Sequence, residues 1–298
     1  CGAENGETVG TGTQEADTQA AAEAVAETTV EDTQVAEQTG AVTFTDDLGR
    51  EVTVDNPQRV ISLIASYADI WYLAGGIDKL VATTNATWTY FDLPLREDIV
   101  NLGSSKELNQ EQLLTCEPDF VIASCGTDRN VELETFFEDT GINVAYFSVN
   151  SFDDYLRVLK ICTDITGCTD NYEEYGTKVA EEVDAALARV DDTHPTVLYV
   201  RASGKSCKVK NSDGSVLGEM LANMGCVNIA DSNESLLEQL SMEVILEQDP
   251  DYIFVVLQSE DPAEAEEILQ TTLLDNPAWS TLTAVKENRY YVMNANLY

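Results

Sequence analysis

The chain has 298 residues, 44% of them hydrophobic, enough for two cores of roughly 100–150 residues each. Its formal net charge of −38, from 54 acidic against 16 basic side chains, excludes nucleic-acid or anionic-lipid binding by bulk electrostatics. No run of about 18 apolar residues occurs, so no transmembrane helix is expected, and any anionic ligand needs a local cluster of Lys and Arg.

The sequence opens on Cys1-Gly2 without an initiator Met. This looks like a bacterial lipoprotein after removal of its signal peptide, with the lipid carried on the cysteine. The alternative is a boundary that merely falls at a Cys, and the stretch that follows favours the lipid. Residues 2–40 are mostly Ala, Thr, Glu, Gln and Gly without an aromatic residue, and no Lys or Arg precedes Arg50. Such a segment cannot bury enough surface to fold, and its like charges extend it. The expectation for 1–40 is therefore a disordered acidic tether. It would hold the rest of the chain at the outer face of the cell membrane, with more than one acyl chain on Cys1 because a single chain anchors weakly.

Residues 42–44 and 52–54 alternate around Asp47-Leu48-Gly49 and predict a β-hairpin. A different rhythm begins at 59–63, with short apolar runs at 80–84, 120–123 and 144–147. Helical stretches at 68–74 and 132–139 separate them. The rhythm restarts at 196–201, continues through 227–230 and 252–257, and closes at 290–293. Strands alternating with helices imply an α/β fold with parallel sheets covered on both faces. Between the halves, Tyr172, Tyr175, Val179, Val183, Leu187 and Val190 recur at steps of three and four. That pattern predicts a long connecting helix ended by His194-Pro195. The resulting division is an N-terminal α/β lobe over 41–168, a helix over 169–193 and a C-terminal α/β lobe over 194–298.

The six cysteines after Cys1 form no CxxC pair, which gives a zinc ribbon or thioredoxin-type site no support. Disulfides and buried free thiols both remain open.

Two segments repeat each other without a gap: LNQEQLLTCEPDFVI at 108–122 and LSMEVILEQDPDYIF at 240–254. In each, Asn109 or Ser241 is suited to cap a short helix. Leu113/Leu114 and Ile245/Leu246 are expected to bury its inner face, and Pro118 or Pro250 stops it before a buried strand. Glu111 and Glu243 stand two positions after the caps. A carboxylate there meets the helix dipole favourably, by about 0.3–1 kcal/mol. That preference does not account for Glu at the same position in two otherwise divergent halves.

The opening DDLGREVTVDNPQRVISL, the two repeats, the long helix and the late NPAWSTLTAVKENRYYV together resemble a family. They look like the ABC-importer binding proteins that carry iron–siderophore complexes, haem or cobalamin, over residues 42–298. The resemblance implies two Rossmann-like lobes joined by one long rigid helix, with ligand in the cleft between them. It implies no catalysis and no resident cofactor, and partners in a permease dimer with its ATPase subunits. By motif position, Glu111 and Glu243 correspond to the family's two lobe-surface glutamates, which pair with permease arginines. The chain is expected to be monomeric. One departure stands out: the sequence stops at Tyr298, where members of that family continue into a further helical segment. Either the chain is truncated or its C-terminal lobe packs differently.

Cleft residues are expected in the loops after the strands, as in open α/β sheets. Tyr67 follows the first strand of the N-terminal lobe, Trp88 and Tyr90 the second, and Arg129 the third. In the C-terminal lobe Arg201 leads into Lys205, Lys208 and Lys210, four of the 16 basic residues within ten positions. Flat aromatics with a few cations, Arg201 and Lys208 among them, suit a bulky, partly apolar, anionic chelate. A siderophore-type iron chelate is the leading expectation, with a corrinoid or haem as the alternative. Capture of free zinc or manganese wants several His ligands, and His194 is the sole histidine. Of other classes, a carboxylate-based enzyme or a sensor module on the same fold stays open, although no GxSxG, P-loop or GxGxxG occurs.

Overall fold

The computed structural model describes residues 40–259 and 261–293. The expected lipid-bearing Cys1, the tether and Tyr298 lie outside the described residues. No described helix is long and apolar enough to cross a membrane.

The hairpin forms as its alternation predicts: β1 (Val42–Thr45) and β2 (Glu51–Val54) pair antiparallel, with Gly49 at a φ of +80° in the turn. Asp46, buried at its base, accepts from the Arg50 amide (2.9 Å), the Arg50 Nη2 (2.6 Å) and the Tyr146 amide (3.2 Å).

Two five-stranded sheets follow. The first contains β3 (Val60–Ser62), β4 (Leu80–Thr83), β5 (Val100–Asn101), β6 (Phe120–Ser124) and β7 (Val144–Phe147), all parallel, in the order β5-β4-β3-β6-β7. Every residue of β6 and β7 is buried, because helices cover both faces. Trp71 and Phe120 lie in the core on one side, Phe137 and Tyr146 in the core on the other.

The second sheet contains β8 (Thr196–Ala202), β9 (Cys207–Lys210), β10 (Val227–Asn228), β11 (Tyr252–Leu257) and β12 (Tyr290–Met293). Its parallel order is β10-β8-β11-β12, and β9 folds back antiparallel on β8. The basic stretch is thus a strand rather than a loop. One face packs Leu198, Val200, Ile253 and Val255 into a large core. The helix Val216–Asn223 covers part of the other face through Leu217 and Leu221. Farther along that face Tyr252, Phe254 and Tyr291 stack in a ladder at 6.4 and 5.5 Å, with Tyr291 43% exposed.

Between the sheets the chain is helical over Thr169–Tyr172, Glu173–Thr177 and Lys178–Leu187. The middle segment is a π-turn that contains buried Gly176, where an added Cβ would sit 3.1 Å from the Tyr172 ring. The element ends at Leu187, before the predicted His194-Pro195, and leaves Val190 41% exposed. His194 is structural: its Nδ1 lies 2.9 Å from the Gly225 carbonyl oxygen.

The repeated segments fold alike. Asn109 Oδ1 accepts from the Glu111 and Gln112 amides at the start of the helix Gln110–Thr115. Ser241 Oγ accepts from the Val244 amide at the start of Met242–Gln248. Leu113 and Ile245 are fully buried. Leu114, expected on the inner face, is instead 45% exposed, since so short a helix turns only one of two adjacent leucines inward. The six described cysteines are free thiols; burial pushes that of Cys162 up to about 12.

Candidate functional site

Each sheet has one place where the chain, having built strands to one side, begins building to the other. These switch points lie between β3 and β6 and between β8 and β11. Open α/β sheets bind ligands in the crevice beyond the strand C-termini at such points. Here the two crevices share a cavity of about 770 Å³. The first sheet supplies Ser66 after β3, Thr84, Tyr90 and Phe91 after β4, Lys106 after β5, and residues 126–129 after β6. The second supplies Arg201, Ser203, Leu257, Gln258 and Ser259.

Buried hydrogen bonds hold the loop after β6. Asn130 Oδ1 accepts from the Ser124 amide (3.0 Å), Ser124 Oγ from the Gly126 amide (3.0 Å), and the Asn130 carbonyl from the Tyr146 hydroxyl (2.9 Å). After β4, the hydroxyls of Thr83 and Thr87 pair at 2.9 Å and fix the short helix Ala86–Tyr90, which brings Tyr90 to the cleft.

The two arginines of the cleft differ in what they can offer. Arg129 is engaged: Nη2 and Nε donate to the Leu108 carbonyl (2.8 and 3.3 Å) and Nη1 to Glu132 (3.2 Å). Arg201 has a fully buried Nε without a hydrogen-bond partner. Across the β8–β9 pair Arg201 stands opposite Lys208, and Tyr199 opposite Lys210, which puts the three cations on one face of the sheet. Burial, then the charges of Arg201 and Lys208, pull the Lys210 pKa below the usual ammonium range.

Of the residues singled out from sequence, Tyr90, Arg129 and Arg201 come together in the cleft. Three do not. Tyr67 is a core residue, 6% exposed, its hydroxyl donating to the Phe147 carbonyl (2.9 Å) and its ring edge-on to Phe147. Trp88 lies on the outer side of its short helix, 43% exposed and off the cleft wall. Lys208 points from β9 into solvent and lines neither the cleft nor its side cavity. Glu111 and Glu243 are exposed, in no ion pair among the described residues. Glu111 lies three residues after Leu108, whose carbonyl Arg129 grips, and lines neither cavity. Thr84, Lys106, Ser203, Gln258 and Ser259 were missed. Gln258 and Ser259 directly follow a strand whose end at 257 is readable, so position after a strand was their signal. No group of three or more His, Cys, Asp or Glu suited to a metal ion occurs among the described residues.

A family model described as periplasmic binding protein matches residues 60–297. A cobalamin-binding protein of Halobacterium salinarum is 29% identical over 220 residues, 71% of this chain and 58% of that relative. The chain thus spans a little over half of that protein's length. An uncharacterized ABC transporter substrate-binding lipoprotein of Bacillus subtilis, YvrC, is 23% identical over 266 residues, 86% of this chain and 79% of its own. Among solved structures, the iron uptake ABC transporter substrate-binding protein PiuA of Streptococcus pneumoniae shares the fold. Its TM-score is 0.67 at 20% identity, over 86% of this chain and 90% of that one. These relatives are binding proteins rather than enzymes.

Proposed function

This chain belongs to the periplasmic binding protein family, and from that premise we propose that it is the extracytoplasmic substrate-binding lipoprotein of an ABC importer. It captures a bulky metal chelate between its lobes and delivers it to a permease served by ATPase subunits. The observation that carries this reading is the meeting of two switch-point crevices in one cavity of about 770 Å³, large enough for such a ligand. Tyr90 and Phe91 give it flat apolar surface, and Arg201 gives it an unengaged cation.

A siderophore-type iron complex is the first ligand class. A corrinoid is the second, favoured by the cobalamin-binding relative. Glu111 and Glu243 serve as the two contacts to permease arginines, one from each repeat. Acylation of Cys1 holds the protein at the outer face of the membrane, a reading supported by the lipoprotein relative.

Purified protein titrated with ferric chelates, haem and cobalamin, followed by tryptophan fluorescence, tests the ligand class. Saturable binding of one iron chelate or corrinoid is expected. A flat response to the whole panel would overturn the proposal.

A further inference from the structure

A second cavity, of about 260 Å³, opens beside the cleft and shares Gly126, Arg201 and Gln258 with it. Val149 and Asn150 wall it from the first lobe, Tyr199 and residues 214–217 from the second. The two cavities differ in charge. Asp128 and Glu132 line the main cleft, whereas no carboxylate lines the smaller one, in a chain with 54 acidic residues.

Arg201 dominates the smaller cavity. Its Nε is fully buried and unpartnered, and a buried polar group left so costs about 1–3 kcal/mol, more when charged. Lys208 faces Arg201 directly across the strand pair, an arrangement of like charges that destabilises a sheet. An anion beside the guanidinium offsets the repulsion between these like charges. The wall at 214–217 adds to the same field. Ser215 Oγ takes the Gly218 amide (3.3 Å), and the Val216 and Leu217 amides begin an eight-residue helix where no intrahelical acceptor reaches them.

We propose that this side cavity is an anion subsite, seating one pendant phosphate or carboxylate of a ligand whose body fills the main cleft. Arg201 supplies the charge of its guanidinium, the helix start supplies amides, and Asn150 closes the site from the other lobe. The inference rests on the cleft reading above and adds to it the chemistry of one ligand arm. Because the walls come from both lobes, the anion also ties the lobes together when ligand is bound.

Two ligand pairs separate the sources of the anion: cobalamin against cobinamide, which lacks the phosphate-bearing loop, and a ferric hydroxamate with against without a free carboxylate. Calorimetric titration is run on the full chain, on Arg201→Gln and on Asn150→Asp, the latter an exposed position where the fold should tolerate a new charge. Each variant is expected to lose at least tenfold in affinity for the anion-bearing member of whichever pair binds. For Asn150→Asp the anion-free member should stay within twofold, and for Arg201→Gln, which also lines the main cleft, it should lose less than the anion-bearing member. Equal losses for both members, or none, overturn the subsite and leave the cleft reading standing. If neither pair binds, inorganic phosphate alone decides. A rise in melting temperature abolished by both variants keeps the subsite and discards the chelate reading, and no rise discards the subsite as well.

Discussion

Asp119 and Asp251 anchor equivalent strands in the two lobes by equivalent bonds. Asp119 accepts from the Gln58 and Arg59 amides (2.7 and 2.9 Å) just ahead of β3. Asp251 accepts from the Thr196 amide and hydroxyl (both 2.9 Å) at the start of β8. The repeated Pro-Asp is therefore a device for docking a strand's beginning against its neighbour's. β3 and β8 flank the two switch points and each leads into one of the cleft loops, so this bond helps seat the strands that carry the site. Asp119→Ala or Asp251→Ala is expected to cost about 1–3 kcal/mol, the range for losing a carboxylate that satisfies backbone donors. Urea unfolding measures the loss, and amide exchange at Arg59 or Thr196 shows which lobe has loosened. A loss confined to the lobe not mutated would refute the assignment.

The docking role proposed for Glu111 and Glu243 predicts a separation of two functions. Changing both to Ala should leave ligand affinity unchanged and abolish ATP-driven uptake in vesicles carrying the cognate permease. Each exposed ion pair is worth only about 0–1 kcal/mol, so the effect should appear chiefly in the rate of encounter and its salt dependence. Unimpaired uptake by the double variant would return both residues to helix-dipole partners.

Acid should unlock the hairpin through Asp46. Burial works against ionising this carboxyl, but hydrogen bonds from the Arg50 side chain and from the Arg50 and Tyr146 amides outweigh it. They hold Asp46 below the usual carboxylate range. A group whose folded pKa is depressed gives its full stabilisation above its unfolded value, near 3.9, and loses it as pH falls through the folded value. Asp46→Asn should therefore be less stable than wild type at neutral pH, with the difference shrinking below about pH 4. Thermal melts from pH 7 to pH 2 measure it, and a gap that widens on acidification would contradict the sign.

Much of this architecture was legible because parallel strands buried on both faces read as unbroken apolar runs, as at β6 and β7. The repeat was legible because capping and helix-stopping residues are local. What failed depended on distant partners. Tyr67 looked like a loop aromatic, yet the Phe147 carbonyl draws its hydroxyl into the core. The alternating Cys207-Lys208-Val209-Lys210 looked like a basic loop, and only its pairing with β8 makes it a strand. β5, two residues long, leaves no periodicity to read. Helical spacing continued to Val190, but the helix stops at Leu187 and buries none of its last ten residues.

Trp88 supplies the last prediction, because the three tryptophans are unequally placed to report binding. Trp71 is fully buried and Trp279 is 5% exposed, each within the core of its own lobe, while Trp88 is 43% exposed. Its five-residue helix carries Ala86 and Tyr90 on the cleft wall, so ligand pressing on Tyr90 changes the surroundings of Trp88 without touching it. Trp88→Phe should remove most of the fluorescence response while affinity by calorimetry stays within twofold. Tyr90→Ala should do the reverse, keeping the fluorophore and losing tenfold or more in affinity. A tenfold loss on Trp88→Phe would mean that the indole itself touches the ligand, which requires the helix to rotate by nearly half a turn when the lobes close.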